Sequence, residues 1–292
     1  MSDFIDNFVN LDREKYIKDK QHKLTRREWL VKAPAALATV SMMPLIAQTI
    51  ADGSEVNTDL YPEFPSQDPS LVREIVLVSH FDLERVRELV TRSPALAKAA
   101  WDWGYGDWEM ALGAASHMGR RDIAEILIEH GARPNLFTST MFGHLDAVQA
   151  YIEAMPNIQQ TAGPHGITLL QHARNGGDEA KPVLEYLLAL GDADNGQMSL
   201  DITEEQKKLY IGHYAFSERE GDAFEVLQHR RGWLVIKKVG RSSRTLLRVE
   251  EHGFAPAGAP AVRVRFQITN GQAASLTIHD PAPLVTARRI IQ

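Results

Sequence analysis

Two helical patterns recur in this chain about 60 residues apart, and that recurrence constrains the fold more than any other feature. Residues 120–135 read Arg-Arg-Asp-Ile-Ala-Glu-Ile-Leu-Ile-Glu-His-Gly-Ala-Arg-Pro-Asn. The run Val183-Leu184-Glu185-Tyr186-Leu187-Leu188-Ala189-Leu190-Gly191 repeats the second half of that pattern. Residues 82–90, Asp-Leu-Glu-Arg-Val-Arg-Glu-Leu-Val, are followed by Ser93-Pro94. They recur as 143–152, Gly-His-Leu-Asp-Ala-Val-Gln-Ala-Tyr-Ile, followed by Met155-Pro156. A double period of this length implies a unit of about 30 residues, enough for two short helices and a turn. Each helix carries apolar residues at i, i+3 and i+4. One such unit cannot bury its apolar stripe alone, so neighbouring units must stack to make a core. Gly131 and Gly191 stand where a helix should stop on a left-handed residue.

Gly131-Ala132-Arg133-Pro134-Asn135 resembles the Gly-Ala-Asp-Pro-Asn turn of ankyrin repeats. Thr168-Leu169-Leu170-Gln171 and Met110-Ala111-Leu112-Gly113 fall in that family's Thr-Pro-Leu-His slot, with Thr168, Leu112 and Leu170 keeping the family residue. The resemblance implies an α-solenoid of about four degenerate ankyrin repeats over 69–196. It also implies a protein-interaction scaffold that binds through its inter-repeat turns and inner helices.

One expected inter-repeat turn is unusually aromatic: Trp101-Asp102-Trp103-Gly104-Tyr105-Gly106-Asp107-Trp108. Trp101 and Trp108 are expected to lie over the helix pair, where indole rings cover much apolar area. Trp103 and Tyr105, near the tip, are expected to be exposed and to bind a protein partner, because aromatic residues dominate interface hot spots. The following turns add Phe137 and His165 as further binding residues.

From residue 207 onward the pattern changes to short alternating runs. Strands are predicted at 210–215, 224–227, 233–237, 244–249, 261–267, 274–279 and 285–290, separated by Gly- and Asn-containing turns. Asn270-Gly271 between two alternating runs predicts a two-residue hairpin. Val262, Val264 and Phe266 alternate with Arg263, Arg265 and Gln267, which puts apolar residues on one face and polar residues on the other. This predicts a small antiparallel β-barrel or curved meander sheet. Tyr210-Ile211-Gly212-His213-Tyr214, Gly232-Trp233-Leu234, Gly253-Phe254 and Val264-Arg265-Phe266 resemble the lipocalin-like module appended to serine β-lactamase-like hydrolases. The hydrolase's Ser-x-x-Lys nucleophile has no counterpart. The resemblance leaves open a small apolar ligand in the barrel or a filled core.

The fold class expected is therefore α+β in separate domains. A signal and n-region covers 1–51, a linker 52–68, the repeats 69–196, a second linker 197–206 and the β domain 207–292. The repeats carry 10 basic and 17 acidic residues, a balance of −7, and the β domain carries 14 and 7, a balance of +7. The overall charge of −6 excludes a polybasic nucleic-acid binder. Absence of cysteine excludes disulfides and thiolate metal sites.

Arg26-Arg27 precedes an apolar run at 33–47, too short to span a bilayer comfortably. The pair and the run resemble a twin-arginine export signal, which implies a folded protein carried to the bacterial periplasm. Cleavage is expected near Ala47 or Ala51, and membrane contact only through this signal.

None of the eleven histidines forms a helical metal-ligand pair, and no nucleophile elbow or dinucleotide loop occurs. No catalytic, cofactor or metal residue is assigned, and the chain is not expected to be an enzyme. The leading expectation is an exported ankyrin-repeat adaptor with an unidentified protein partner. The alternative is a small-ligand carrier or enzyme accessory protein built on the barrel. An enzyme would require titratable groups converging on a cleft.

Overall fold

The computed structural model describes residues 66–194 and 199–290. The segment holding Arg26 and Arg27, its apolar run, the expected cleavage sites and linker residues 52–65 lie outside the described residues. The chain from Pro69 onward belongs to one compact unit. It is an α+β structure: helices first, then a closed antiparallel barrel.

Among the described residues, four helix pairs come first. They are α1 (Pro69–Val78) with α2 (Leu83–Arg92), α3 (Ala111–His117) with α4 (Arg121–Glu129), α5 (Leu136–Phe142) with α6 (Leu145–Ala154), and α7 (Leu169–Asn175) with α8 (Lys181–Leu190). The first helices pack in series, α1 on α3, α3 on α5 and α5 on α7, while α2 packs on α4 and α6 on α8. Side-chain caps fix the starts: Asp82, Asn135 and Thr168 accept from the backbone N–H groups of Arg85, Thr138 and Gln171. Gly131 and Gly191 have the left-handed backbone expected of helix stops, with φ of 91° and 77°. Leu127 and Leu187, equivalent in the repeated sequence, are both buried. The pairwise stacking makes one core from stripes that no single pair could cover.

Between α2 and α3 the chain forms a β-finger. Strand β1 (Ala100–Asp102) pairs antiparallel with β2 (Trp108–Met110), with Trp101 opposite Glu109. Three successive residues at its tip, Gly104, Tyr105 and Gly106, have positive φ.

Helix α9 (Glu204–Tyr210) leads into the barrel, opened by a capping box between Thr203 and Gln206. The barrel strands are β3 (Gly212–Ala215), β4 (Ala223–Gln228), β5 (Leu234–Lys238), β6 (Arg244–Glu250), β7 (Gly253–Pro256), β8 (Arg263–Thr269), β9 (Gln272–Asp280) and β10 (Ala282–Arg289). Each pairs with the next, and β10 closes on β3. Asn270 and Gly271 both have positive φ between paired Thr269 and Gln272, as the hairpin signal requires. Two details differ from the sequence reading. Tyr210 ends a helix rather than starting a strand, and β7 is a separate strand after the Glu251-His252 turn. Side chains from all eight strands, among them Tyr214, Phe224, Phe254, Phe266, Leu246, Leu276 and Ala287, fill the interior, joined by Tyr210 of α9. This is how a small barrel normally closes its core.

Candidate metal centre

The β-finger turns its odd-numbered side chains toward the protein. Trp103, Tyr105, Asp107 and Glu109 are half-buried or buried, whereas Trp108 and Met110 on β2 are 64% and 39% exposed. Asp107 and Glu109 are each 1% exposed. A buried carboxylate needs compensating partners, and each of these two has them.

Glu109 sits in a cage of three histidines. Its Oε1 lies 2.7 Å from His117 Nε2 and 3.4 Å from His165 Nε2. Its Oε2 accepts from Trp103 Nε1 at 2.6 Å and lies 3.4 Å from His80 Nε2. The three imidazoles arrive from different elements. His80 follows α1, His117 ends α3, and His165 occupies a left-handed position (φ 60°) in the turn before α7. Each is buried. One ligand atom from each of His80, Glu109, His117 and His165 lies within 4.8 Å of all the others.

Outer hydrogen bonds orient the rings. His80 Nδ1 faces the carbonyls of Val76 and Leu77 at 3.1 and 3.0 Å. A carbonyl only accepts, so Nδ1 carries a proton, while Nε2 lies 3.4 Å from Glu109 Oε2. That buried Nε2 makes no hydrogen bond. His165 Nδ1 donates to Asp107 Oδ2 at 2.6 Å. His172 lies one layer out: its Nδ1 donates to the Thr168 carbonyl, and its ring centroid is 6.4 Å from that of His117.

The barrel contributes to the same site. Arg244 of β6, buried, brings a guanidinium nitrogen 3.4 Å from Asp107 Oδ2 and donates to the Trp103 carbonyl at 3.1 Å. Tyr105 packs against the barrel core. Gly258, between β7 and β8, approaches so closely that a Cβ there would lie 2.8 Å from Asp107 Oδ1 and 2.9 Å from His165 Cα.

Burial opposes charge at Glu109, but His80, His165 and the hydrogen bond from His117 outweigh it and hold the carboxyl well below its usual range. Burial likewise opposes charge at Asp107, where His165 and Arg244 prevail and lower its pKa. Burial works against the His165 cation, yet Glu109 and Asp107 raise its pKa to about 9. At His117 burial wins over the bond to Glu109 and lowers the pKa to about 4. Burial takes His172 down to about 3.

The donor set fits a transition metal. Bonds of about 2.0–2.1 Å in tetrahedral array put ligand atoms about 3.3 Å apart. Two of the cluster's nitrogen–oxygen separations are 3.4 Å, His80 Nε2 to Oε2 and His165 Nε2 to Oε1 of Glu109. Ligation through His117 Nε2 would move that ring's proton to Nδ1, which makes no hydrogen bond in the described structure. Three imidazoles and one carboxylate suit zinc, iron, nickel or copper, not magnesium or calcium. The bonds to Asp107, the Val76 and Leu77 carbonyls and Trp103 are the outer contacts that fix ligand tautomers in metal sites.

The residues expected to bind a partner lie elsewhere than anticipated. Trp103 is half-buried and bonded to Glu109, Tyr105 packs on the barrel, and His165 is only 2% exposed. Phe137 is half-buried in the stack, its ring 4.9 Å from that of His172. Of the tryptophans expected to cover the helices, Trp108 is the exposed one, because strand alternation turns Glu109 inward and its neighbours out. His80, Asp107, Glu109, His117 and Arg244 were not picked out from sequence. The clearest signal is His117, an imidazole at the end of the wholly apolar or small-residue α3, all of which is buried; Glu109 is the buried position of β2 between exposed Trp108 and Met110. No protein-family model matches the chain, and no curated protein matches it.

Proposed function

We propose that this protein is a metalloprotein whose centre, made by His80, Glu109, His117 and His165, holds one divalent first-row transition ion. One observation carries the reading: the buried His80 Nε2 makes no hydrogen bond and faces a carboxylate oxygen at 3.4 Å, the spacing of two ligands on one metal. The charges of Asp107, Glu109, His165 and Arg244 can balance without an ion, but that balance gives His80 Nε2 no hydrogen bond. The helical stack is read as a degenerate ankyrin-like array that supplies the three histidines, and the barrel as a lipocalin-like module that closes the site. The Arg26-Arg27 segment, read as a twin-arginine signal to the periplasm, supports the same proposal, because that route carries proteins folded around their cofactors.

The test is zinc titration of chelated protein by competition with a chromophoric chelator, with elemental analysis of the purified chain. One zinc per chain is expected. His80→Ala combined with His165→Ala abolishes it, and Trp108→Ala leaves it unchanged. Failure of the wild type to bind, or equal binding by the double variant, overturns the proposal.

The adaptor reading, with an unidentified protein partner, retains one favourable observation: Trp108 is 64% exposed on the finger's outer face. A partner bound there would be lost on Trp108→Ala with zinc binding intact.

A further inference from the structure

Strands β5 and β6 pair only at Val235–Thr245 and Ile236–Arg244. Beyond Thr245 they part, and the Arg248 carbonyl accepts from Leu200 N, in the segment between α8 and α9, at 2.7 Å instead. The opening is a cleft of about 560 Å³ between the barrel and the turn that carries His165. That volume lies in the range of small-molecule sites, which favour such junctions.

The walls are mostly apolar, with Leu200, Ile202, Trp233 and Leu247 among them. Leu200 is 54% exposed. Three polar groups stand against these walls. Thr245 is 8% exposed, and its Oγ1 has no hydrogen-bond partner. The Arg248 guanidinium donates to the Asp201 carbonyl at 2.9 Å, while its buried Nε makes no hydrogen bond. The third is Lys207, already matched by Glu204 at 2.5 Å and by the Gly232 carbonyl. Arg248 makes no ion pair among the described residues. Asp194 and Asp201 also line the cleft. The Asp194 carboxylate is engaged by Thr168 at 2.9 Å and by Arg174 at 4.0 Å.

We infer that this cleft binds a small organic anion, with its carboxylate on Arg248, a hydrogen bond from the Thr245 hydroxyl, and its apolar body against Leu200, Ile202, Trp233 and Leu247. A guanidinium gives such an anion a charge-assisted hydrogen bond that a neutral analogue cannot form. His165 lines the same cleft, so the bound anion stands next to the centre. That last clause rests on the metal reading, whereas the anion site does not.

Isothermal titration with octanoate and with 1-octanol tests the inference on the full chain, both chelated and zinc-loaded. Octanoate is expected to bind more tightly than 1-octanol. Arg248→Gln is expected to weaken octanoate about tenfold and leave 1-octanol unchanged. Thr245→Val is expected to weaken octanoate less. Arg248→Lys, which keeps the charge, recovers part of the affinity and serves if the glutamine variant does not fold. No octanoate binding, equal binding of the two probes, or equal affinity of wild type and Arg248→Gln overturns the inference. Zinc binding without octanoate binding removes only the anion site. Octanoate binding without zinc binding removes only the metal reading.

Discussion

A single carboxylate grips His165 at two points: Asp107 Oδ2 lies 2.6 Å from Nδ1, and Oδ1 accepts the His165 backbone N–H at 2.9 Å. The double grip holds a histidine with positive φ, a backbone conformation that non-glycine residues rarely adopt. It also aims Nε2 at Glu109. Arg244 of the barrel braces the same carboxylate. Net charges of opposite sign on the two segments act only within about 8 Å at physiological salt. The short contacts among Tyr105, Asp107, Arg244 and Gly258 therefore hold the barrel against the helices.

Asp107→Asn is expected to lower zinc affinity about 10–100-fold, the usual effect of losing an outer partner of a ligating histidine. It also removes the carboxylate charge beside the buried Arg244, which costs about 3–5 kcal/mol of stability. Competition titration and urea unfolding measure the two effects separately. Unchanged zinc affinity would show that Asp107 serves stability alone.

Gly258→Ala should strike the same relay from the barrel side. Its φ is +85°, and the new Cβ would press on Asp107 and on the backbone of His165. Strain and overlap together should cost about 2–4 kcal/mol and weaken zinc binding. Gly271→Ala is the control, because its φ is +74° with nothing within 4 Å of the added atom. It carries the conformational penalty alone, about 1 kcal/mol. Equal destabilisation by the two changes in thermal melts would mean that the barrel does not press on the site.

The metal-free protein should be most stable near about pH 6.5, for reasons of opposite sign on either side. His165 has its pKa raised from 6.5 to about 9. Its contribution is fully present below the ordinary value and fades as pH rises toward the higher one. His117 and His172 have theirs lowered to about 4 and about 3. Below pH about 6.5 the unfolded chain takes up protons there that the folded chain refuses, so stability falls with acid. Each unmatched proton changes stability by about 1.4 kcal/mol per pH unit. A zinc ion held by His165 Nε2 would take the place of its proton and flatten the alkaline limb. Urea midpoints across pH 5–9, with chelator and with zinc, measure this. A chelated protein that gains stability steadily up to pH 9 would mean that His165 is neutral in the folded state.

The helices, their glycine stops, the barrel and the Asn270-Gly271 hairpin were legible because each depends on a local period or turn residue. The centre was not. Its ligands at 80, 109, 117 and 165 share no spacing, because a stack of helix pairs brings together residues that are distant in sequence. The aromatic turn is plain in the sequence, but its burial is not: Asp107 and Glu109, set among the four aromatic residues, carry buried charge. Alternation along β2 could have set Glu109 apart from Trp108, but only if the finger was known to be a strand.

Tyr105 gives the sharpest contrast between an exposed tip and a packed one. An exposed tip predicts that Trp103→Ala with Tyr105→Ala leaves melting nearly unchanged. In the structure Tyr105 packs against the barrel core, where burial raises its hydroxyl pKa well above the usual value. Trp103 donates the hydrogen bond that fixes Glu109 Oε2. Tyr105→Ala alone should therefore cost about 3 kcal/mol, in the range of a lost core aromatic ring. Trp103→Phe should cost about 1–3 kcal/mol, because it keeps the ring area but leaves a buried carboxylate oxygen without its donor. The two residues serve different contacts, so their readouts should differ. Trp103→Phe should alter zinc affinity through Glu109, and Tyr105→Ala should mainly increase hydrogen exchange in β6 and at the β7–β8 turn, where the barrel meets the finger. Wild-type melting for both variants would return the turn to the surface and release the barrel from the site.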